Sequence, residues 1–174
     1  MSLTDSQLPN PNELINNMSL ALQSQIKSFD DVVMVGIHTG GAWVAKSLHA
    51  SINLKSQLGL LDISFYRDDF TQNGLHPQVK SSELPEIEGK TIILVDDAIM
   101  SGRTIRAAMN ELFDYGRPKQ ILLASLLDLG QRELPIEANV IGQSLQLENN
   151  QRIKLSGPEP LTLSLVTLNE QEHA

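Results

Sequence analysis

Apolar and polar positions follow an alternating order of strand-like and helix-like segments over most of the chain. Continuous apolar runs with the length of buried strands cover 32–37, 91–95 and 121–127. Apolar residues recur at helical spacing over 12–28, 42–50 and 105–113. Weaker strand patterns cover 58–66 and 140–141. Strands and helices that alternate in this way predict an α/β domain with a mostly parallel sheet and helices on both faces.

Beyond residue 142 the pattern changes to short alternating segments, which are typical of antiparallel strands. We predict a hairpin that pairs 145–147 with 153–155 around the Asn-rich turn 148–151. Residues 161–168 alternate as one further strand. Together these segments predict a small β hood over 143–168.

Length and composition fit one domain that spans residues 1–174, with a loosely ordered lead over 1–12. The net charge of −8 argues against a broad nucleic-acid footprint, because such surfaces are basic. No apolar run has the length of a membrane span, and the chain contains no cysteine. We therefore expect a cytoplasmic protein without membrane contact or disulfides.

The residues with the clearest chemical meaning follow the apolar run at 91–95. Asp96 and Asp97 would leave the carboxyl end of a buried strand, where ligands bind in open α/β sheets. Two carboxylates can accept hydrogen bonds from the vicinal hydroxyls of a ribose or hold Mg²⁺ through water. Gly102 allows the backbone to approach a phosphate, and hydroxyls follow at a helix N-terminus, on Ser101 and Thr104. The stretch therefore predicts a phosphoribosyl site.

Other interpretations of this stretch fit the residues less well. A strand that ends in two acids also occurs in phosphoacceptor receiver domains, but there the pair belongs to the first strand, and here it lies past the middle of the chain. The phosphate loop of nucleotide-binding proteins needs Lys after its second glycine, whereas Ala42 follows Gly41. An ordinary strand–turn–helix with a capping hydroxyl does not require two acids at the strand end.

Two further segments are candidates for ligand binding. The glycines Gly40 and Gly41 follow the strand at 32–37, and the backbone N–H groups of such a loop can bind an anion. A simple tight turn would explain the same two glycines. Residues 67–90 are polar and lack periodicity, which predicts a mobile flap that closes over the site. The alternative for 67–90 is a solvated surface hairpin.

The motif Val-Asp-Asp-x-x-x-Ser-Gly-Arg-Thr-Ile-Arg-Ala-Ala-Met at 95–109 resembles the site that binds 5-phosphoribosyl-1-pyrophosphate (PRPP) in type I phosphoribosyltransferases. More narrowly, it is similar to the PyrR family of pyrimidine-operon regulators, which are uracil phosphoribosyltransferase-like proteins. Further similar segments lie at 36–41, 61–70, 116–118 and 127–136. The resemblance implies a three-layer type I phosphoribosyltransferase fold.

The resemblance also assigns an expected role to each candidate residue. PRPP and UMP would bind at Thr39, Gly40, Gly41, Asp96, Asp97, Ala98, Ser101, Gly102, Arg103 and Thr104. The flap would contribute Arg67, Asp68 and Asp69, and the base pocket would contain Asp128, Leu129 and Arg132. The expected catalytic residues are Asp96, Asp97 and Arg67, and the expected ligands of the cofactor Mg²⁺ are Asp68 and Asp97. The chain departs from the family at Gly40, where relatives often carry a basic residue, and at Leu129 and Gln131.

The resemblance implies an enzyme that forms UMP and pyrophosphate from uracil and PRPP. Purine-specific relatives carry an acid where Met100 stands, which favours uracil as the base. The alternative that it implies is a regulator of pyrimidine gene expression that senses UMP or PRPP, through RNA or a protein partner, with little or no turnover. The first helix contains no arginine and residues 129–131 contain no basic residue, which argues against RNA binding. A homodimer or higher homo-oligomer is expected from the family.

Overall fold

The computed structural model describes residues 3–64 and 82–168, and the statements below concern these residues. Five strands form the main sheet: β1 (Val32–Ile37), β2 (Gly59–Leu61), β3 (Thr91–Ile99), β4 (Gln120–Asp128) and β5 (Val140–Ser144). All pair in parallel, in the order β2-β1-β3-β4-β5. The helices are α1 (Pro11–Ile26), α2 (Gly40–Ile52) and α3 (Arg103–Tyr115). A separate antiparallel pair follows, formed by β6 (Gln151–Ser156) and β7 (Thr162–Thr167).

The central strands are apolar on both sides, so that each face of the sheet must be covered by helices. On one face, α1 and α2 pack against the sheet through Met18, Leu22, Val44 and Leu48, which contact a cluster with Met34, Ile93 and Ala124. On the other face, α3 contributes Ile105, Ala108 and Leu112 to a cluster with Val35, Ile92 and Leu94. The predicted three-layer α/β fold is therefore confirmed.

The sequence explains where α1 begins and which face of α3 is buried. The Oδ1 of Asn10 accepts the N–H of Asn12 at 2.9 Å, and Pro11 occupies the first helical position, where its missing N–H is tolerated. In α3, Phe113 has the spacing of the apolar face but is 55% exposed, so the buried face ends at Leu112. None of the described helices is long and apolar enough to cross a membrane.

The edge strand β2 is shorter than the predicted strand at 58–66. Leu60 exchanges two backbone hydrogen bonds with Glu83 in an antiparallel bridge. The N–H of Asp62 donates to Ser82 Oγ at 3.0 Å instead of continuing a strand. The chain from 82 onward therefore takes over the hydrogen bonding at this edge, and the parallel strand ends at Leu61.

The predicted flap at 67–90 extends too far toward its C-terminal end. Besides the bridge at Glu83, Ile87 is only 1% exposed and belongs to the core cluster beneath α3. Residues 82–90 are thus part of the folded domain. The expected flap residues Arg67, Asp68 and Asp69 lie outside the described residues.

The C-terminal β structure is present, but the predicted strand pairing is wrong. Residues 145–147 are not a strand, since the N–H of Leu145 donates to Asp128 O at the end of β4. The hairpin instead pairs β6 with β7 along their whole length, and Gln151 lies opposite Thr167. Leu155 and Leu161 anchor it to the cluster beneath α1 and α2.

The N-terminal lead is better ordered than predicted. Residues Asp5–Gln7 form a short 3-10 helix. The Oδ1 of Asp5 accepts the N–H of Leu165 in β7 at 2.8 Å, and Leu3 O accepts Nε2 of Gln151 in β6 at 3.1 Å. Both contacts attach the lead to the C-terminal hairpin, so that the two ends of the described chain stabilise each other.

Candidate active site

Asp96 and Asp97 lie within β3, which continues beyond them to Ile99. The sequence predicts a loop from Ala98 onward, but β4 pairs with the strand as far as Ile99. Asp96 is 4% exposed, and its Oδ1 accepts the N–H of Asp97 at 3.0 Å. Asp97 is half-buried. The edge of the sheet therefore encloses one acid and leaves part of the other accessible.

The loop between β1 and α2 packs directly on this pair of acids. Helix α2 begins at Gly40, two residues earlier than predicted. A methyl group built on Gly41 would lie 2.6 Å from Val95 O and 2.9 Å from the Cα of Asp96. A methyl group built on Gly40 would lie 2.5 Å from Oδ2 of Asp97. The structure thus brings the two predicted ligand-binding loops together, and the glycines make this close approach possible.

The N-terminus of α3 forms the third part of this edge. Gly102 precedes the helix with a φ of 90°, a left-handed conformation that favours glycine. Ser101 Oγ accepts the N–H of Arg103 at 3.2 Å, and Thr104 is half-buried in the first turn. N–H groups of a first helical turn attract anions. This turn is therefore suited to a phosphate group. In the other loop, before α2, Thr39 is exposed.

The loop after β4 is braced by Arg132. Its Nε donates to Ile136 O, its Nη1 to Met100 O and its Nη2 to Oδ2 of Asp128, each at 2.8 Å. The sequence suggests Arg132 as part of a base pocket, whereas here its guanidinium binds protein atoms. It holds Asp128, the last residue of β4, and Leu129, which follows it, against the end of β3.

Asp128 is ionised more easily than a free aspartate. Burial raises the pKa of its carboxyl, but the hydrogen bond and charge of Arg132 and the N–H of Gly130 together lower it by more, so that the net pKa falls below the ordinary value of 3.8. A second arginine nearby, Arg103, pairs with Glu133 at 2.7 Å on the surface. Both arginines at this end of the site are therefore paired with carboxylates.

A buried acid at the end of β2 was not singled out from the sequence. Asp62 is 8% exposed, and its Oδ1 accepts the N–H of Ser64 at 2.9 Å as well as the Ser64 hydroxyl. It follows an apolar strand as Asp96 does, which is the signal that could have identified it. These hydrogen bonds attach the Asp62 carboxylate to the segment that follows it in the chain.

Asp97 is the described residue that could hold Mg²⁺. In the described ranges, no group of three or more His, Cys, Asp or Glu is arranged to hold a metal ion. Mg²⁺ usually keeps several waters and binds one or two carboxylates together with substrate phosphates. The half-buried carboxylate of Asp97 receives no hydrogen bond or cation from the described part of the chain, so it fits that role. The other expected ligand, Asp68, lies outside the described residues.

Comparisons with known proteins identify the family of this chain. The family model described as phosphoribosyl transferase domain matches residues 4–156. "Bifunctional protein PyrR" of Pseudomonas syringae pv. tomato is 58% identical over 165 residues, which cover 93% of this chain and 97% of that protein. The protein of the same name from Pseudomonas fluorescens is 57% identical over 164 residues, covering 92% of this chain and 98% of that protein.

Solved structures support the fold alone, because their sequences are distant. A hypoxanthine phosphoribosyltransferase of Trypanosoma cruzi matches with a TM-score of 0.69 and 14% identity, covering 97% of this chain and 98% of that chain. A hypoxanthine-guanine phosphoribosyltransferase of Bacillus anthracis matches with a TM-score of 0.63 and 22% identity, covering 78% of this chain and 79% of that chain.

Proposed function

The chain belongs to the phosphoribosyltransferase family and, within it, to the PyrR proteins, and from this premise we propose that it forms UMP and pyrophosphate from uracil and PRPP. One observation carries the proposal: the glycine loop before α2 and the acids of β3 lie within contact distance, with 2.5 Å between a methyl group built on Gly40 and Oδ2 of Asp97. A pyrophosphate site and a ribose site must adjoin in this way, because the reacting C1′ of PRPP lies between the two groups.

In the proposed reaction, N1 of uracil forms a bond with C1′ of the ribose while the bond from C1′ to pyrophosphate breaks. The electron pair of that bond leaves with pyrophosphate, and the N1 proton is released. Positive charge develops on the ribose, so catalysis depends on positioning and electrostatic stabilisation. Bound Mg²⁺, for which Asp97 and Asp68 are the candidate ligands, would offset charge on pyrophosphate.

Each part of the site has a proposed task. The carboxylates of Asp96 and Asp97 accept hydrogen bonds from the ribose hydroxyls. Residues 101–104 hold the 5′-phosphate at the start of α3, and residues 39–41 hold pyrophosphate at the start of α2. By resemblance, Arg67, which lies outside the described residues, would face the phosphates. The loop at 128–132 borders the base.

Uracil is the proposed base because Met100 has no acid–base group to offer a purine ring nitrogen. Met100 is 39% exposed next to the loop that Arg132 braces, so this residue is accessible to a ligand. An apolar, half-exposed side chain suits the face or edge of a small pyrimidine.

The test is UMP formation from uracil and PRPP with Mg²⁺, compared with hypoxanthine as the base. We expect UMP from the wild type and at least a hundredfold lower kcat/KM for Asp97→Asn, which is about 3 kcal/mol of lost transition-state stabilisation. The exposed acid Asp30 supplies the control Asp30→Asn, which should match the wild type. Absence of UMP with folded wild-type protein would refute the enzymatic proposal.

A second candidate function is a regulator that binds UMP or PRPP with little turnover. The word bifunctional in the name of the Pseudomonas relatives favours this candidate. The acid-paired arginines Arg103 and Arg132 and the net charge of −8 argue that any regulatory contact is made to a protein more readily than to RNA. UMP binding without UMP formation would favour this candidate, and RNA binding with a steep salt dependence would contradict the preference for a protein partner.

We further propose that the protein is a homodimer and works in the cytoplasm. Sedimentation can test the oligomeric state.

A further inference from the structure

Gly40 and Gly41 are neighbours, but they must be glycine for different reasons. Neither has a positive φ, so the backbone conformation would accept other residues. A methyl group on Gly41 would meet main-chain atoms of β3, which cannot move without breaking the sheet. A methyl group on Gly40 would meet the Asp97 side chain instead, at 2.5 Å from Oδ2, 2.6 Å from Cγ and 3.0 Å from Cβ. The Asp97 carboxylate therefore occupies the space that a side chain at residue 40 would need.

The surroundings of the Asp97 carboxylate differ from those of the other acids at this edge of the sheet. Oδ1 of Asp96 accepts a backbone N–H, and Asp128 is paired with Arg132. In residues 3–64 and 82–168, no group hydrogen-bonds or ion-pairs with the carboxylate of Asp97, although the residue is half-buried. A partly desolvated carboxylate without a protein partner gains most from a cation that arrives with the ligand.

We propose that Gly40 is a positioning residue: because it has no side chain, it leaves the space that the Asp97 carboxylate occupies in this orientation, and the charge of that carboxylate stays available to a divalent cation bound with PRPP. The inference rests on the proposed function, because PRPP is the ligand that would carry the cation. Residue 40 then determines how strongly PRPP binding depends on Mg²⁺. A lysine at residue 40 would place an ammonium group within reach of Asp97 and partly replace the cation.

The experiment is calorimetric titration of PRPP into the wild type, Gly40→Ala and Gly40→Lys, at limiting and saturating Mg²⁺. We expect Mg²⁺ to strengthen binding to the wild type, and Gly40→Lys to reduce this gain by about tenfold or more, as changes to partners of a metal ligand do. Gly40→Ala should weaken binding at saturating Mg²⁺ by a similar factor, because the methyl group rotates the carboxylate away. Ala50→Lys is the matched control: it adds the same charge at an exposed position of α2 and should keep the wild-type Mg²⁺ dependence.

Two further variants separate the outcomes. In the Asp97→Asn background, Gly40→Lys should cause no additional change in Mg²⁺ dependence, because the charge it would pair with is gone. If Gly40→Ala proves unstable, Asp97→Ala removes the Oδ2 and Cγ atoms that the methyl group meets and should restore thermal stability; failure to restore it would contradict the inference.

PRPP binding with wild-type Mg²⁺ dependence in both Gly40 variants would overturn the inference and leave the proposed function intact. A folded wild type that binds no PRPP would overturn both.

Discussion

Removal of the Arg132 guanidinium should destabilise the loop after β4 and change the affinity for the base. The side chains of Arg132 and Asp128 are 22% and 17% exposed, so their ion pair is only partly screened by solvent. Hydrogen bonds to charged groups contribute about 1.5–3 kcal/mol each, and three contacts at 2.8 Å set an upper bound of about 5–9 kcal/mol. Water replaces part of this in a partly exposed loop. We expect Arg132→Ala to lower the free energy of unfolding by about 3 kcal/mol, near the lower end for breaking a buried pair.

Urea unfolding and thermal melting measure this loss. For a domain of this size, about 3 kcal/mol corresponds to a fall in Tm of roughly 6–12 °C. Arg132→Lys keeps the charge beside Asp128 but cannot reach both carbonyl groups, so about half of the loss should remain. Arg106→Ala, at an exposed position of α3, is the control and should stay within about 0.5 kcal/mol of the wild type.

The enzyme assay tests whether the loop that Arg132 braces borders the base. If Arg132 braces the loop, its loss should raise the KM for uracil more than the KM for PRPP, since the loop borders the base and not the pyrophosphate. An Arg132→Ala variant that loses less than about 1 kcal/mol of stability would show that the contacts to Met100, Ile136 and Asp128 do not hold the loop.

Two further predictions concern stability. The pKa of Asp128 is lowered in the folded state, so the contribution of Asp128 to stability is present above the ordinary value of 3.8 and is lost as pH falls below it. The difference in unfolding free energy between wild type and Asp128→Asn should therefore become smaller from pH 7 to pH 3. A constant difference would exclude the ion pair as its source. Asp5→Ala removes the acceptor of the Leu165 N–H and should cost about 1 kcal/mol, with faster amide exchange at Leu165, whereas Asp30→Ala should leave that exchange rate unchanged.

The central part of the fold could be predicted because its signals are local and strong. Continuous apolar runs gave the bounds of β1 as the structure has them, and the strand before Asp96 could hardly be anything but a buried parallel strand. The predicted pairing of the C-terminal hairpin is wrong because apolar and polar residues alternate in 145–147 and 153–155 as clearly as in the true partner strands. Which segments pair there depends on Leu155 and Leu161 reaching the core beneath α1 and α2, and that contact is not visible in a local pattern.

The candidate site shows the same limit at single residues. Residue types at a strand end identify Asp96 and Asp97 as candidates, but they do not show that the Arg132 guanidinium binds the protein atoms of Met100, Asp128 and Ile136. Those contacts depend on where two loops meet in space.

The two glycines before α2 show the same limit between neighbouring residues. In sequence, Gly40 and Gly41 are equivalent, and both are consistent with a tight turn or an anion-binding loop. In the structure, a side chain at Gly41 would meet the main chain of β3, whereas the atoms nearest to a methyl group on Gly40 all belong to the Asp97 side chain. A substitution at Gly41 should therefore move the loop and disturb packing, but a substitution at Gly40 should act on one side chain and on the cation it can hold. The same residue type thus serves the fold at one position and the chemistry at the next, and the variants of Gly40 test the chemistry without first breaking the fold.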